Sequence, residues 1–243
     1  MKNKLYYHFF IPDIPSHWKL LLYEQLDCIE GSELPYFCEV EMCVSSNEEN
    51  FKELKELVND YSFLNVTWFD TSIQDNREHY EGTTLLKLYD ECSDYDNVGY
   101  IHSKGITSLS KQVNRWRKVL EYGVIEKWRN NIQALNNGYD VSGICWDVYG
   151  DHFSGNFWWG KSSYIKTLPR PVLQQWRKQI VPVDSHWSSR FRYESWIGLE
   201  NPKFNNLYEN RCISRGEIIN KYVVDVKRKT ILNFPNEKTI SYS

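Results

Sequence analysis

Over the first hundred residues, apolar positions fall into short blocks that alternate between two periods. Residues 5–11, LYYHFFI, are an apolar and aromatic run ended by Pro12, which predicts a buried strand. In residues 17–29, Trp18, Leu21, Leu22, Gln25 and Ile29 recur at roughly helical spacing. That segment is predicted as an amphipathic helix. Residues 39–45, EVEMCVS, alternate apolar with polar and predict a second strand. Residues 50–61 place Phe51, Leu54, Leu57 and Val58 on one helical face. A third strand is expected at 65–69, a third helix at 81–92 and a fourth strand, VGYIH, at 98–102. This strand–helix alternation predicts an α/β fold with a parallel sheet. Such sheets bind ligands outside the carboxyl ends of their strands. The loops after Ile11, Ser45, Phe69 and His102 are therefore where chemistry is expected.

The second half is less regular. Residues 113–137 read as helix, in one long or two shorter pieces, stopped by Asn136, Asn137 and Gly138. Residues 139–146 predict a strand, 147–154 a polar loop, 190–199 a helix and 221–232 a last strand or two. With no internal repeat and no low-complexity linker, one domain over 1–243 is the simplest expectation. The change in regularity divides it into halves at about 1–110 and about 111–243.

Composition narrows the function classes. Of 243 residues, 41% are hydrophobic and 25% charged, as in globular domains. A net charge of −3 gives no electrostatic footprint for nucleic acid. No segment has the length and apolarity of a membrane span, and no signal peptide is expected. The expectation is a cytoplasmic protein with reduced thiols, with peripheral association at an inner membrane left open. The 10 Trp, 17 Tyr and 11 Phe either fill a ring-rich core or line a cleft that stacks on sugars.

GNFWWGKS, residues 155–162, matches the phosphate-cradling loop letter for letter. The chemistry argues against that reading. A phosphate nest needs converging backbone N–H groups and small residues between its glycines. Here Phe157, Trp158 and Trp159 fill that interval, and the preceding DVYGDHFS is no apolar strand. Rings flanked by Asp151, His152, Ser154 and Asn156 suit a carbohydrate surface, with C–H faces on the rings and hydroxyls on the polar groups. A structural aromatic plug stands as the alternative.

In VGYIHSKGITS, residues 98–108, a buried strand runs directly into His102, Ser103, Lys104 and Gly105. Lys104 is a compact positive charge suited to a diphosphate, and Gly105 permits a sharp turn. This turn, the Tyr–Glu–Gly–x–Thr–Leu patch at 80–85, Trp116 and Arg117, the His–Phe–Ser–Gly–Asn–Phe–Trp–Trp block at 152–159, the Tyr–Ile–Lys–x–Leu tail at 164–168, and Glu194 with Trp196 together carry a resemblance. The chain resembles bacterial and viral glycosyltransferase-like proteins of capsule and lipopolysaccharide pathways. The resemblance implies a GT-A-like α/β/α sandwich with a mostly parallel sheet, a nucleotide-diphosphate sugar donor and a glycan or glycolipid acceptor. In that fold an Asp–x–Asp motif commonly ends the fourth strand and holds a divalent metal. Here His102, Ser103 and Lys104 stand in that place. Asp94, Tyr95 and Asp96 spell the motif at the strand's other end and read as a solvated turn. No metal ligand is assigned, and Mn²⁺ or Mg²⁺ stays an open alternative to Lys104 as the diphosphate's counter-charge.

Roles follow for a sugar transfer. Glu194 is the expected base, with Asp151 as runner-up and Arg190 and Arg192 as cationic neighbours. His102, Lys104 and Gly105 are expected at the diphosphate. His8, Phe10, Tyr80, Glu81 and Thr84 are expected around the rest of the donor. His152, Asn156, Trp158, Trp159 and Arg192 are expected at the sugar or acceptor. Arg115 and Arg117 could reach phosphate or lie solvated on their helix. A different class, a non-catalytic binder of carbohydrate or nucleotide sugar on the same fold, fits the same residues.

Overall fold

The computed structural model describes residues 1–72, 81–108, 110–147, 151–171 and 193–207. The first half follows the predicted alternation: β1 (Asn3–Phe10), α1 (Trp18–Gly31), β2 (Cys38–Ser46), α2 (Glu48–Leu57), β3 (Leu64–Asp70), α3 (Gly82–Glu91) and β4 (Asn97–His102). α2 begins where Asn47 accepts the Asn50 N–H at 2.8 Å, an orphan donor that a side-chain cap satisfies. The helical stretch after β4 divides into α4 (Lys111–Glu121), a π-helical turn (Tyr122–Glu126) and α5 (Trp128–Asn136). Next come β5 (Val141–Gly143), β6 (Trp146–Asp147), β7 (His152–Phe153), β8 (Trp158–Lys161), α6 (Ser162–Ile165) and β9 (Phe204–Asn206).

Seven strands form the central sheet in the order β3-β2-β1-β4-β8-β5-β9. All its pairings are parallel except the two made by β8. The fold is thus mixed α/β with a mostly parallel central sheet, as the alternation predicts. Strand order reverses at β1: β2 and β3 lie on one side of it, β4 and the rest on the other. The carboxyl ends of β1 and β4 therefore flank a topological switch point, the usual ligand crevice of open α/β sheets.

Alternating side chains feed two cores. Leu5, Tyr7, Phe9 and Ile11 of the β1 segment, with Val40, Met42 and Val44 of β2, join one cluster with α1, α4 and α5. Tyr6, Cys43, Tyr100 and Trp158 join a second with Leu85 and Leu88 of α3, Tyr164 of α6 and Trp196. Helices thus cover both faces, and this explains why the β1 segment reads as a continuous apolar run.

Three local expectations need correction. The polar loop expected at 147–154 contributes to a two-stranded antiparallel ribbon of β6 and β7, with Trp146 opposite Phe153. The strand expected over 139–146 is broken into β5 and β6, with Cys145 between them at φ 62°. Only 193–199 of the helix expected at 190–199 lies among the described residues, and there a helical turn passes into a 3₁₀ turn at Trp196–Gly198. The strands expected at 221–232 lie outside the described residues.

Candidate functional site at the end of the fourth strand

Residues 158–161 of the GNFWWGKS stretch are strand β8, not a loop. Tyr100 near the carboxyl end of β4 pairs with Trp158, and Asn97 at its amino end pairs with Lys161. The motif's first glycine and its Lys161-Ser162 pair thus sit at opposite ends of the sheet. No phosphate nest can form from them. Asp94 and Asp96 lie at the amino end too, where Asp96 accepts the Lys2 N–H at 2.8 Å and, by its carbonyl, the Ser162 N–H at 3.0 Å. They are a structural turn.

At the carboxyl end, β1 and β4 run in register with His8 beside His102. The His8 Nδ1 shares a 2.8 Å hydrogen bond with the Thr84 hydroxyl of α3. Ser103 ties the two strand ends together: its N–H donates to the His8 carbonyl at 2.9 Å, and its hydroxyl accepts the Phe10 N–H at 3.0 Å. Phe10 is half-buried at the rim. His102 Nε2 donates to the Gly155 carbonyl at 3.0 Å. The carbonyl can only accept, so the proton is on Nε2. The same nitrogen lies 3.7 Å from Glu81 Oε1.

The loop 151–157 arches over this end. Gly155 and Asn156 both have left-handed backbones, φ 90° and 55°, a conformation that glycine and asparagine tolerate best. A Cβ on Gly155 would lie 2.7 Å from Leu120 Cδ1, so α4 packs directly on the turn. The Asn156 side chain is 1% exposed. Its Nδ2 donates to Glu81, and its Oδ1 accepts the Trp158 indole N–H at 2.8 Å. The Gly155 N–H donates to Glu194 Oε2 at 3.3 Å. His152 Nε2 stands 3.7 Å from the same oxygen. Two bare glycines let the neighbouring segments close. A Cβ on Gly82 would clash with Tyr193, and one on Gly198 would lie 1.6 Å from the Asp151 carbonyl oxygen.

His8, Glu81, Thr84, His102, His152, Asn156 and Glu194 are thereby linked in one largely buried polar cluster. Tyr100, which begins the Tyr–x–His turn, has no role of its own in the sequence reading. Its ring stacks on Trp158 with centroids 5.6 Å apart. Burial, and next the Glu81 carboxylate, push its hydroxyl well above the ordinary phenol range. Lys104 stands on the other side of the β4 end. With Gly105, Ser108, His17, Leu20, Asn114 and Arg117 it borders a cleft of ≈ 100 Å³ between α1 and α4. Gly105 has φ 85°, and a Cβ there would meet Val113 Cγ1 at 2.7 Å.

Several expected roles change. Trp158 and Trp159 are each 0% exposed, so they do not form an exposed sugar wall. Trp158 fills one core and Trp159 the other, because consecutive strand residues point to opposite faces. Glu81 makes no side-chain capping bond at the start of α3 and turns into the cluster instead. Asp151 is exposed, with φ 46°, and joins the site only through its neighbour His152. Arg117 is buried and bound to Glu121 at 2.7 Å, to Glu24 and to Asn114, so it is committed to structure. Arg115 is exposed. Tyr80, Arg190 and Arg192 lie outside the described residues. Cys28, Cys38, Cys43, Cys92 and Cys145 are free thiols. No group of three metal-ligating side chains occurs among the described residues, and no helix among them is long and apolar enough to cross a membrane.

The buried histidine gives a pH signature. Burial, then the nearby His102, lowers His8 to about 3 from 6.5, so the folded state holds it neutral. The unfolded chain takes up that proton first. Stability from this group is complete above pH 6.5 and declines as pH falls toward 3. The expected slope is about 1.4 kcal/mol per pH unit. Urea midpoints measured between pH 7.5 and 4.5 should show it, and the slope should flatten in His8→Asn.

Among solved structures, the chain is similar to the 4-diphosphocytidyl-2C-methyl-D-erythritolsynthase of Anaerococcus prevotii DSM 20548. The TM-score is 0.43 at 10% identity, covering 93% of this chain and 99% of that one. It is also similar to the glycosyltransferase GlyE of Streptococcus pneumoniae TIGR4, with a TM-score of 0.42 at 9% identity, covering 96% of this chain and 52% of that one. No curated protein sequence matches. The family model for a domain of unknown function, DUF8361, matches residues 6–205, most of the chain, and the protein belongs to that family.

Proposed function

We propose that the protein is a glycosyltransferase that moves a sugar from a nucleotide-diphosphate donor to a hydroxyl of a glycan or glycolipid acceptor. One observation carries the reading. Two histidines and two carboxylates from separate segments gather where β1 and β4 meet at the switch point of the sheet, and Lys104 follows at the end of β4, bordering the cleft on its other side. That is where an α/β sheet of this kind takes its ligand, and from the sequence His8, His102, Lys104 and Glu81 are expected at the donor and Glu194 as the base.

In this reading Lys104 offsets the charge growing on the leaving diphosphate. It stands in the place where an Asp–x–Asp pair would hold a metal. Asp94 and Asp96 do not fit that role, being at the far end of β4. Glu194, fixed by the Gly155 N–H, takes the acceptor proton. His102 and Glu81 hold the turn that carries Glu194.

A thermal-shift panel of nucleotide-diphosphate sugars, with and without Mn²⁺, tests the donor class. A ligand bound only by the folded state raises apparent stability by about 2.7 kcal/mol at a hundredfold excess over its dissociation constant. A shift that appears without Mn²⁺ supports the lysine-based site. A shift that needs Mn²⁺ reassigns the diphosphate's counter-charge to a metal. No shift with any donor removes the proposal.

A further inference from the structure

We infer that Glu81 is a positioning residue that locks the Gly155–Asn156 turn and, through it, holds Glu194 at the end of β4. The inference rests on the proposed transfer reaction for Glu194's role, but not for the lock itself.

A carboxylate 5% exposed needs hydrogen-bond partners to offset the loss of its hydration. Glu81 finds its partner 75 residues away in sequence, in the Asn156 side-chain amide, with His102 Nε2 at 3.7 Å. Asn156 is held at both ends of its amide. Its amide nitrogen serves Glu81 and its oxygen serves the Trp158 indole. Its backbone is left-handed at φ 55°, and a non-glycine residue stays there only when its surroundings hold it. The preceding Gly155 peptide is gripped at both ends. Its carbonyl accepts from His102 Nε2, and its N–H donates to Glu194. Releasing the Asn156 amide therefore loosens the turn whose N–H orients Glu194. Glu81 is connected to Glu194 through this turn, so it acts by placement. The sequence expectation of direct contact with the donor gives way to that role.

Hydrogen exchange on the peptide covering 151–157 tests the lock without any substrate. In Glu81→Ala, the Gly155 amide should exchange at least about tenfold faster, while β1 and β2 keep wild-type protection. Glu81→Gln should restore protection, because its amide oxygen still accepts from Asn156. Should Glu81→Ala fail to fold, Asn156→Asp sets two carboxylates against each other and should show the same local loosening. Unchanged exchange at Gly155 in the folded variants overturns the inference.

Turnover gives the second readout. Positioning predicts that kcat falls about a hundredfold in Glu81→Ala with the donor KM nearly unchanged. A raised KM with kcat intact would mean that Glu81 touches the donor, and would also overturn the inference. If the wild type turns over no nucleotide sugar, the proposed function fails, and the exchange result alone decides the lock.

Discussion

Trp159→Ala is expected to cost about 3–5 kcal/mol of folding stability, a large share of the roughly 5–15 kcal/mol that a domain has. The indole is 0% exposed and lies across β4. There Gly99, its register partner, provides the space: a Cβ at that position would come within 2.8 Å of the ring. Its N–H donates to the Val124 carbonyl at 2.9 Å, in the π-helical turn after α4. Truncation therefore loses buried apolar area, opens a cavity and strips a buried carbonyl of its donor. A urea titration should show the midpoint falling with little change in slope. Gly99→Val should destabilise as well, since the ring and the new side chain claim the same volume. A sugar-stacking wall predicts the reverse, near-normal stability with lost ligand affinity. A Trp159→Ala protein as stable as the wild type would return the ring to the binding surface.

The same tryptophan marks how far the sequence can be read. The first four strands and three helices are legible because each period is local. Residues 5–11 are apolar on both sides since helices cover both faces of β1, and Leu54 with Val58 marks the buried side of α2. The 155–162 stretch fails for the opposite reason. Phe157, Trp158 and Trp159 are buried because β8 inserts antiparallel between β4 and β5. That pairing spans some sixty residues, and no local period encodes it. Their polar neighbours belong to the loop before the strand, so proximity in sequence suggested a mixed aromatic and polar surface that the fold takes apart. The site divides in the same way. His102 and Lys104 are legible as a polar turn straight after a buried strand. Glu81 is expected at the site from its patch at 80–85, but its role is not legible, because its partner Asn156 comes from a distant segment.

Glu194→Gln is expected to lower sugar transfer by about 10²–10⁴-fold, the usual worth of a positioned base, without loosening the fold. The amide keeps the side chain's volume, and its oxygen still accepts the Gly155 N–H that the carboxylate takes at 3.3 Å. What it loses is the capacity to take a proton. Release of nucleoside diphosphate, measured with acceptor present, should therefore collapse while the donor-induced thermal shift persists. Lys104→Ala should fail in another way. Removing the cation beside the leaving group should cost about 10²–10³-fold in kcat and also weaken donor binding, since the diphosphate is charged before it departs. Lys161→Ala should change neither measurement, because Lys161 pairs with Asn97 at the other end of β4. The pattern across the three variants separates the readings. If Glu194→Gln turns over at the wild-type rate, the proton goes elsewhere and the base assignment falls. If the wild type binds a donor but releases nothing with any acceptor, the cluster is a binding site and the transferase reading falls. If only Lys161→Ala is inactive, the letters of the phosphate loop outweigh the strand that separates them.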